Sequence, residues 1–335
     1  ETTKQTDFGV DFGFFNQRLT GSFDYYYKKT NDILVQTPYI AAMGEGGEPW
    51  VNGASMNNQG VEFTVSFKSD PSSEFQWAVS ANIGTYKTEL TDLPSNVINK
   101  YAGDGVHDLI LGRSPNSAYG LVADGIFKTQ EEVDAHADQP GKAVGRIRYK
   151  DLDGDGVINE TYDRTWIGCY DPDFFGGLNF DFAYKGFDLN LFFEGMFGND
   201  VNSDWKKESD IWLFTNPAWK NHATRMLGGW SPDNPNSDIP AISNNTANQE
   251  QRFSSWFIED GSYIKLRNIE LGYTFPTKLI KKMHMSNLRL YAAAYNVFTL
   301  KKFWGDDKYT SFDPERPSYH YLTPFTFNFG INVSF

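Results

Sequence analysis

Apolar and polar residues alternate with a period of two over long stretches of this chain, the spacing that sends successive side chains of a β-strand to opposite faces. In the last stretch, residues 324–335, Phe325, Phe327, Phe329, Ile331, Val333 and Phe335 share one face, and Thr326, Asn328, Asn332 and Ser334 share the other. Val61, Phe63, Val65 and Phe67 alternate in the same way with Glu62, Thr64, Ser66 and Lys68. So do Phe75, Trp77, Val79, Ala81 and Ile83 with Gln76, Ser80 and Asn82. Further alternating stretches cover 6–15, 18–30, 173–184, 186–197, 263–275 and 287–299, which makes nine predicted strands. Their length is at or above the roughly 9–11 residues that a tilted strand needs to cross a bilayer, whereas soluble strands centre on about five or six.

The connections fall into two classes. Asn16-Gln17, Ser69–Ser73, Lys185 and Pro276–Ser286 are short, whereas 31–58, 89–172, 198–262 and 300–323 are long. Short and long alternate along the chain, the signature of an up-and-down outer-membrane barrel with turns at one end and large loops at the other. That parity requires 89–172 to hold zero or two crossings. The expectation is zero, with the extended pieces around Tyr119–Phe127 and Arg146–Lys150 belonging to an extracellular excursion. Nine is odd, and single-chain bacterial barrels have even strand numbers. An open sheet edge in hydrocarbon leaves backbone groups unpaired at several kcal/mol each, so the chain is expected to be part of a larger closed sheet.

Composition agrees. Aromatic residues make up 16% of the 335 (28 Phe, 18 Tyr, 9 Trp), and 30 glycines punctuate them. This favours an all-β fold. A net charge of -13 argues against nucleic acid, whose phosphates are bound through Lys and Arg. No run of about 18 apolar residues marks a membrane-crossing helix. The lone Cys169 has no second thiol to pair with and no zinc-site spacing around it. No leader-like basic and apolar segment follows Glu1, so a signal peptide is expected to have been removed or to lie outside this piece.

Several motifs are more specific. Ala123-Asp124-Gly125-Ile126-Phe127 precedes Thr129-Gln130-Glu131-Glu132-Val133, and Arg146-Ile147-Arg148-Tyr149-Lys150 leads into Asp151-Leu152-Asp153-Gly154-Asp155-Gly156-Val157-Ile158. Asp163-Arg164, Ile167-Gly168, Pro172-Asp173-Phe174 and Tyr184-Lys185-Gly186-Phe187-Asp188-Leu189 follow. Tyr263 to Ile269, Leu271 to Pro276, Asn287-Leu288-Arg289 and Asn296-Val297-Phe298-Thr299 complete the series. In this order, over about two-thirds of the chain, the motifs resemble the C-terminal part of the SusC/RagA family of TonB-dependent outer-membrane transporters. The resemblance implies a barrel of about 22 strands with a plugged lumen. Residues 1–335 would form part of the wall, with the plug domain absent from this piece. It also implies TonB acting through that plug, a SusD-like surface lipoprotein over the barrel, and outer-membrane lipid around it. The cargo would be an oligosaccharide or peptide.

Two sets of site residues stand out. Asp151, Asp153 and Asp155 supply oxygens at positions one, three and five of a calcium-type loop, with Gly156 at the sharp turn and the Val157 carbonyl at seven. Position twelve is Tyr162; a one-residue insertion relative to the family's usual spacing makes Asp163 the expected last ligand, and Ca2+ in a structural role the expected ion. A solvated acidic turn with no metal is the plainer reading. Trp205, Trp212, Trp219, Trp230 and Trp256 fall in or at the end of loop 198–262, and Trp50 and Trp304 in two other long loops. Aromatic faces of this kind bind sugars or peptide side chains, or else build a small core for a large loop.

The five histidines lack metal spacing, and no nucleophile elbow, zinc-protease motif or phosphate loop is present, so transport is expected and catalysis is not. The rival class is a secreted all-β, calcium-dependent carbohydrate-binding or adhesion protein. Residues 324–335 are expected to form the barrel-closing strand, with Phe335 as the true C-terminus in the periplasmic aromatic girdle.

Overall fold

The computed structural model describes residues 1–36, 49–95, 97, 109–211, 223–243, 247–301, 311–318 and 321–335. In chain order its strands are β1 (Thr2–Phe14), β2 (Leu19–Gln36), β3 (Trp50–Lys68), β4 (Phe75–Asp92), β5 (Ser117–Leu121), β6 (Ala123–Ile126), β7 (Ile147–Tyr149), β8 (Arg164–Cys169), β9 (Phe174–Tyr184), β10 (Phe187–Phe197), β11 (Asp200–Asn202), β12 (Ile258–Asp260), β13 (Tyr263–Thr274), β14 (Asn287–Lys301) and β15 (Thr326–Ser334). Nine of them form one sheet in the order β1-β2-β3-β4-β9-β10-β13-β14-β15, every neighbour antiparallel. These are the nine strands that the alternation predicts. Among the described residues the segment between β4 and β9 adds no strand to the sheet, the expected one of the two cases that loop parity allows.

Register turns the alternation into a continuous apolar face. Val10 pairs with Phe23, Phe23 with Phe63 and Phe63 with Ile83. Lower on the sheet, Trp77, Phe182, Leu189, Leu271, Ala292 and Phe329 run edge to edge across six strands. Many of these side chains stay exposed, Phe329 by 77% and Ile331 by 67%, so this face has no protein layer covering it among the described residues. Aromatic pairs gather beside the short turns: Phe67 with Trp77, Phe75 with Tyr184 and Phe187 with Tyr273, at ring separations of 5.4, 6.3 and 4.6 Å. Between β9 and β10 the turn is only Lys185 and Gly186, at φ 48° and 90°. Those left-handed values give the primed turn whose twist matches the strands it joins.

The strands beside the long connections outrun the predicted ones. β2 continues to Gln36 and β3 begins at Trp50, so both strands reach into the predicted loop 31–58, and Trp50 opens a strand instead of lying inside a loop. Likewise β4 continues to Asp92. Pairing persists above the apolar band because Val35, Ala54 and Leu90 of these extensions are buried with Leu93, Val97 and Ile110 in a small core of their own. Asp32, at φ 57°, takes up the register shift between Thr30 and Ile33.

Candidate functional site

On the opposite face the sheet carries a ladder of polar side chains. Ser22 and Thr64 hydroxyls lie 2.8 Å apart, Ser80 donates to Ser66 at 2.9 Å, and the Asn190 amide donates to Asn179 at 2.9 Å and to Asp181 at 2.7 Å. Asn268 donates to Asn190 at 2.9 Å. Nearer the short turns, Arg289 donates to Asp188 at 3.0 Å and to Glu270 at 2.7 Å. One face therefore suits hydrocarbon and the other water or a polar ligand.

A denser cluster sits where β13 meets the last long connection. Lys265, its side chain 4% exposed, donates to Asp313 at 2.6 Å and also pairs with Glu315. Arg267 binds Glu194 at 2.7 Å and Glu315 as well, and the Tyr263 hydroxyl donates to Glu315 at 3.0 Å. A bulge makes this possible. The register shifts between Leu266 and Asn268, which sets Arg267 beside Lys265 on the polar side. Ser311 bonds Ser203 at 2.7 Å and Phe312 meets Trp205 edge to face with centroids 4.6 Å apart, so residues 311–315 are tied both to the wall and to loop 198–262. The prediction missed this network. Its signal lies in β13, where the apolar phase slips by one between Leu266 and Ile269.

Above the sheet, the two longest loops build a joint body. Leu121, Ile126, Ile147, Tyr149 and Ile158 form its core, with Trp230 and Trp256 packed against them. Arg146 and Glu250 cross between the loops at 2.8 Å, with side chains 8% and 5% exposed, and Glu250 also accepts the Ile147 N–H at 2.8 Å. Burial pushes the Glu250 carboxyl up and the Arg146 guanidinium down, against the pull of each on the other. The pair fixes how the loops fit together more than it stabilises them.

The structure brings Asp151, Asp153 and Asp155 together, with an oxygen of each within 4.8 Å of the others. The turn that does so is held by its own backbone: Gly154 and Gly156 N–H donate to Asp151 at 2.7 and 2.9 Å, and Val157 N–H donates to Asp155 at 2.7 Å. Slight burial would raise the Asp151 carboxyl, but those N–H donors outweigh it and hold it below its ordinary value. Asp163 is fully buried, accepting the Leu152 and Asn159 N–H groups at 2.8 and 2.7 Å. Three carboxylates on a pre-shaped turn suit a hard, oxygen-seeking cation.

Among the described residues the tryptophans have separate surroundings. Trp230 and Trp256 serve the loop core, Trp205 holds Phe312, and Trp50 stands 62% exposed at the start of β3. Trp212, Trp219 and Trp304 lie outside the described residues.

A nine-stranded, two-faced antiparallel sheet with turns at one end and folded loops at the other is a section of an outer-membrane-type β-barrel wall. No family model matches the chain. Over its whole length it is 31% identical to TonB-dependent receptor P3 of Formosa agariphila and 27% identical to TonB-dependent receptor SusC of Bacteroides thetaiotaomicron. It spans 34% and 32% of those proteins, about a third of the curated relatives it matches. The RagAB peptide transporter structure superposes with a TM-score of 0.76 at 24% identity, covering 99% of this chain and 35% of that one. The chain is thus a homologue of the SusC-type TonB-dependent receptors, corresponding to about a third of their length, and the SusC/RagA resemblance read from its motifs holds.

Proposed function

We propose that this chain forms part of the wall of an outer-membrane barrel that imports oligosaccharides or peptides by TonB-dependent transport, beneath a SusD-like surface lipoprotein. The observation that carries the reading is the segregation of faces and ends: an uncovered apolar face, a polar ladder behind it, and all large loops at one rim. In this role the apolar face stands in lipid, the polar ladder lines the lumen around the plug, and the joined loops meet cargo and lipoprotein outside. Cells expressing the full-length protein should take up a labelled oligosaccharide or peptide library, and deletion of TonB should reduce that uptake to background. Uptake that persists without TonB would overturn the proposal.

The Asp151 turn is read as a structural Ca2+ site, with Asp151, Asp153, Asp155 and the Val157 carbonyl around the ion and Asp163 at its base. Its affinity should fall in the range of extracellular modules, a Kd of about 10⁻⁴–10⁻³ M. Calcium should protect residues 151–163 of the full-length protein from limited proteolysis, and Asp153→Ala with Asp155→Ala should abolish that protection. Equal cleavage with calcium and with a chelator would refute the site.

A further inference from the structure

The apolar face is interrupted by a hollow of about 730 Å3. Its origin is a pair of glycines, Gly176 on β9 and Gly195 on β10, which are direct cross-strand partners. They lie in the row that continues through Ile83 and Phe63 on one side and Ile264 and Leu300 on the other. With no side chain on either glycine, the row drops to bare backbone between large apolar walls. Gly176 cannot be larger, because a Cβ there would run into the Asn82 carbonyl oxygen. Toward the loops the groove is roofed by Phe174 stacked on Phe197, centroids 4.8 Å apart. The same two rings line a second hollow of about 290 Å3, whose other walls are Asp173, Gly198, Asp200, Asp260 and Ser262.

A groove lined by carbon, with an acidic hollow on the far side of the Phe174–Phe197 pair that the two share, fits an amphiphile of matching polarity. Among the described residues no lysine or arginine acts on Asp200; Asp200 accepts the Cys169 N–H at 2.7 Å and Asp260 the Ser262 N–H at 2.9 Å. Burial, with Asp260 and Asp173 adding to it, pushes the Asp200 carboxyl up, as expected of carboxylates crowded together without a counter-charge. We propose that this groove seats one acyl chain of an amine-headed membrane lipid, the chain in the Gly176–Gly195 notch and the ammonium group among Asp173, Asp200 and Asp260. A purely anionic headgroup meets like charge in the acidic hollow, and a polar occupant finds no partner in the notch.

This inference rests on the outer-membrane reading above, and the test separates the two. Full-length protein in detergent, offered phosphatidylethanolamine and phosphatidylglycerol together, is observed by native mass spectrometry. One phosphatidylethanolamine should be retained severalfold more than phosphatidylglycerol. Gly195→Leu, which fills the notch, should lose the adduct, and Asp200→Asn with Asp260→Asn should keep a lipid but lose the headgroup preference. Heat-modifiable gel migration reports that each barrel is folded; if Gly195→Leu fails it, Ala81→Phe, filling the same groove from β4, replaces it. Undiminished retention in the filled variant overturns the proposal, as do equal retention of the two lipids by wild type and a lipid-free dimer closing the groove. Failure of the wild type to enter bilayers would instead overturn the outer-membrane reading.

Discussion

Replacing Leu191 by arginine is expected to destabilise the membrane-inserted protein by about 2–4 kcal/mol, the cost of a cation on the lipid face near mid-bilayer. Leu191 lies in the middle of β10, with Phe180 opposite on β9 and Ile269 on β13, so a charge there finds only hydrocarbon and aromatic neighbours. The same arginine at Ser66 should cost far less. Ser66 is on the polar face and gives up one hydrogen bond to Ser80, worth about 0.5–1.5 kcal/mol. Urea titration of the full-length protein in lipid vesicles measures both. Comparable losses at the two positions would mean that the faces are not divided between lipid and water.

Lys265→Met should release the last long loop. The lysine is 4% exposed and faces two carboxylates, of which Asp313 is 10% exposed. Its removal leaves buried negative charge with Arg267 as the remaining neutraliser, and breaking a buried pair from one side costs about 3–5 kcal/mol. Because the network ties residues 311–315 to the wall and not the wall strands to each other, the loss should be local. Hydrogen exchange in 311–318 should accelerate strongly while β9 and β10 stay protected. Lys265→Met combined with Asp313→Leu should recover part of the protection. Unchanged exchange in the single variant would show that the ion pairs do not hold this loop.

Why the wall was legible and the loops were not follows from what each is built against. Strands facing two different media must alternate, so Phe325 to Phe335 or Val61 to Lys68 announce both their conformation and their faces. Above the bilayer a different core takes over: Val35, Ala54 and Leu90 of β2, β3 and β4 are buried with Leu93, Val97 and Ile110, contacts between separate segments that leave no clean period in any one strand. The loop body depends on contacts between residues far apart in sequence, such as Arg146 with Glu250 and Trp256 against the core of Leu121, Ile126, Ile147, Tyr149 and Ile158, which no local pattern reports. At the acidic turn the spacing of Asp151, Asp153 and Asp155 foretold their convergence. Asp163, the expected last ligand, is buried and accepts the Leu152 and Asn159 N–H groups, contacts that spacing alone does not report. The tryptophans show the limit of composition: the same residue type fills a core at Trp230 and stands exposed at Trp50.

The central claim is that this sheet stands in a membrane with its two faces in different media, and spin labels along β15 of the full-length protein in vesicles test it directly. Labels at Phe327, Phe329, Ile331 and Val333 should be relaxed by oxygen, which concentrates in hydrocarbon, and those at Asn328, Gly330 and Asn332 by a water-soluble nickel chelate. A period of two in that ratio is the predicted result. Uniform access of the nickel chelate to every position from 326 to 334 would contradict it.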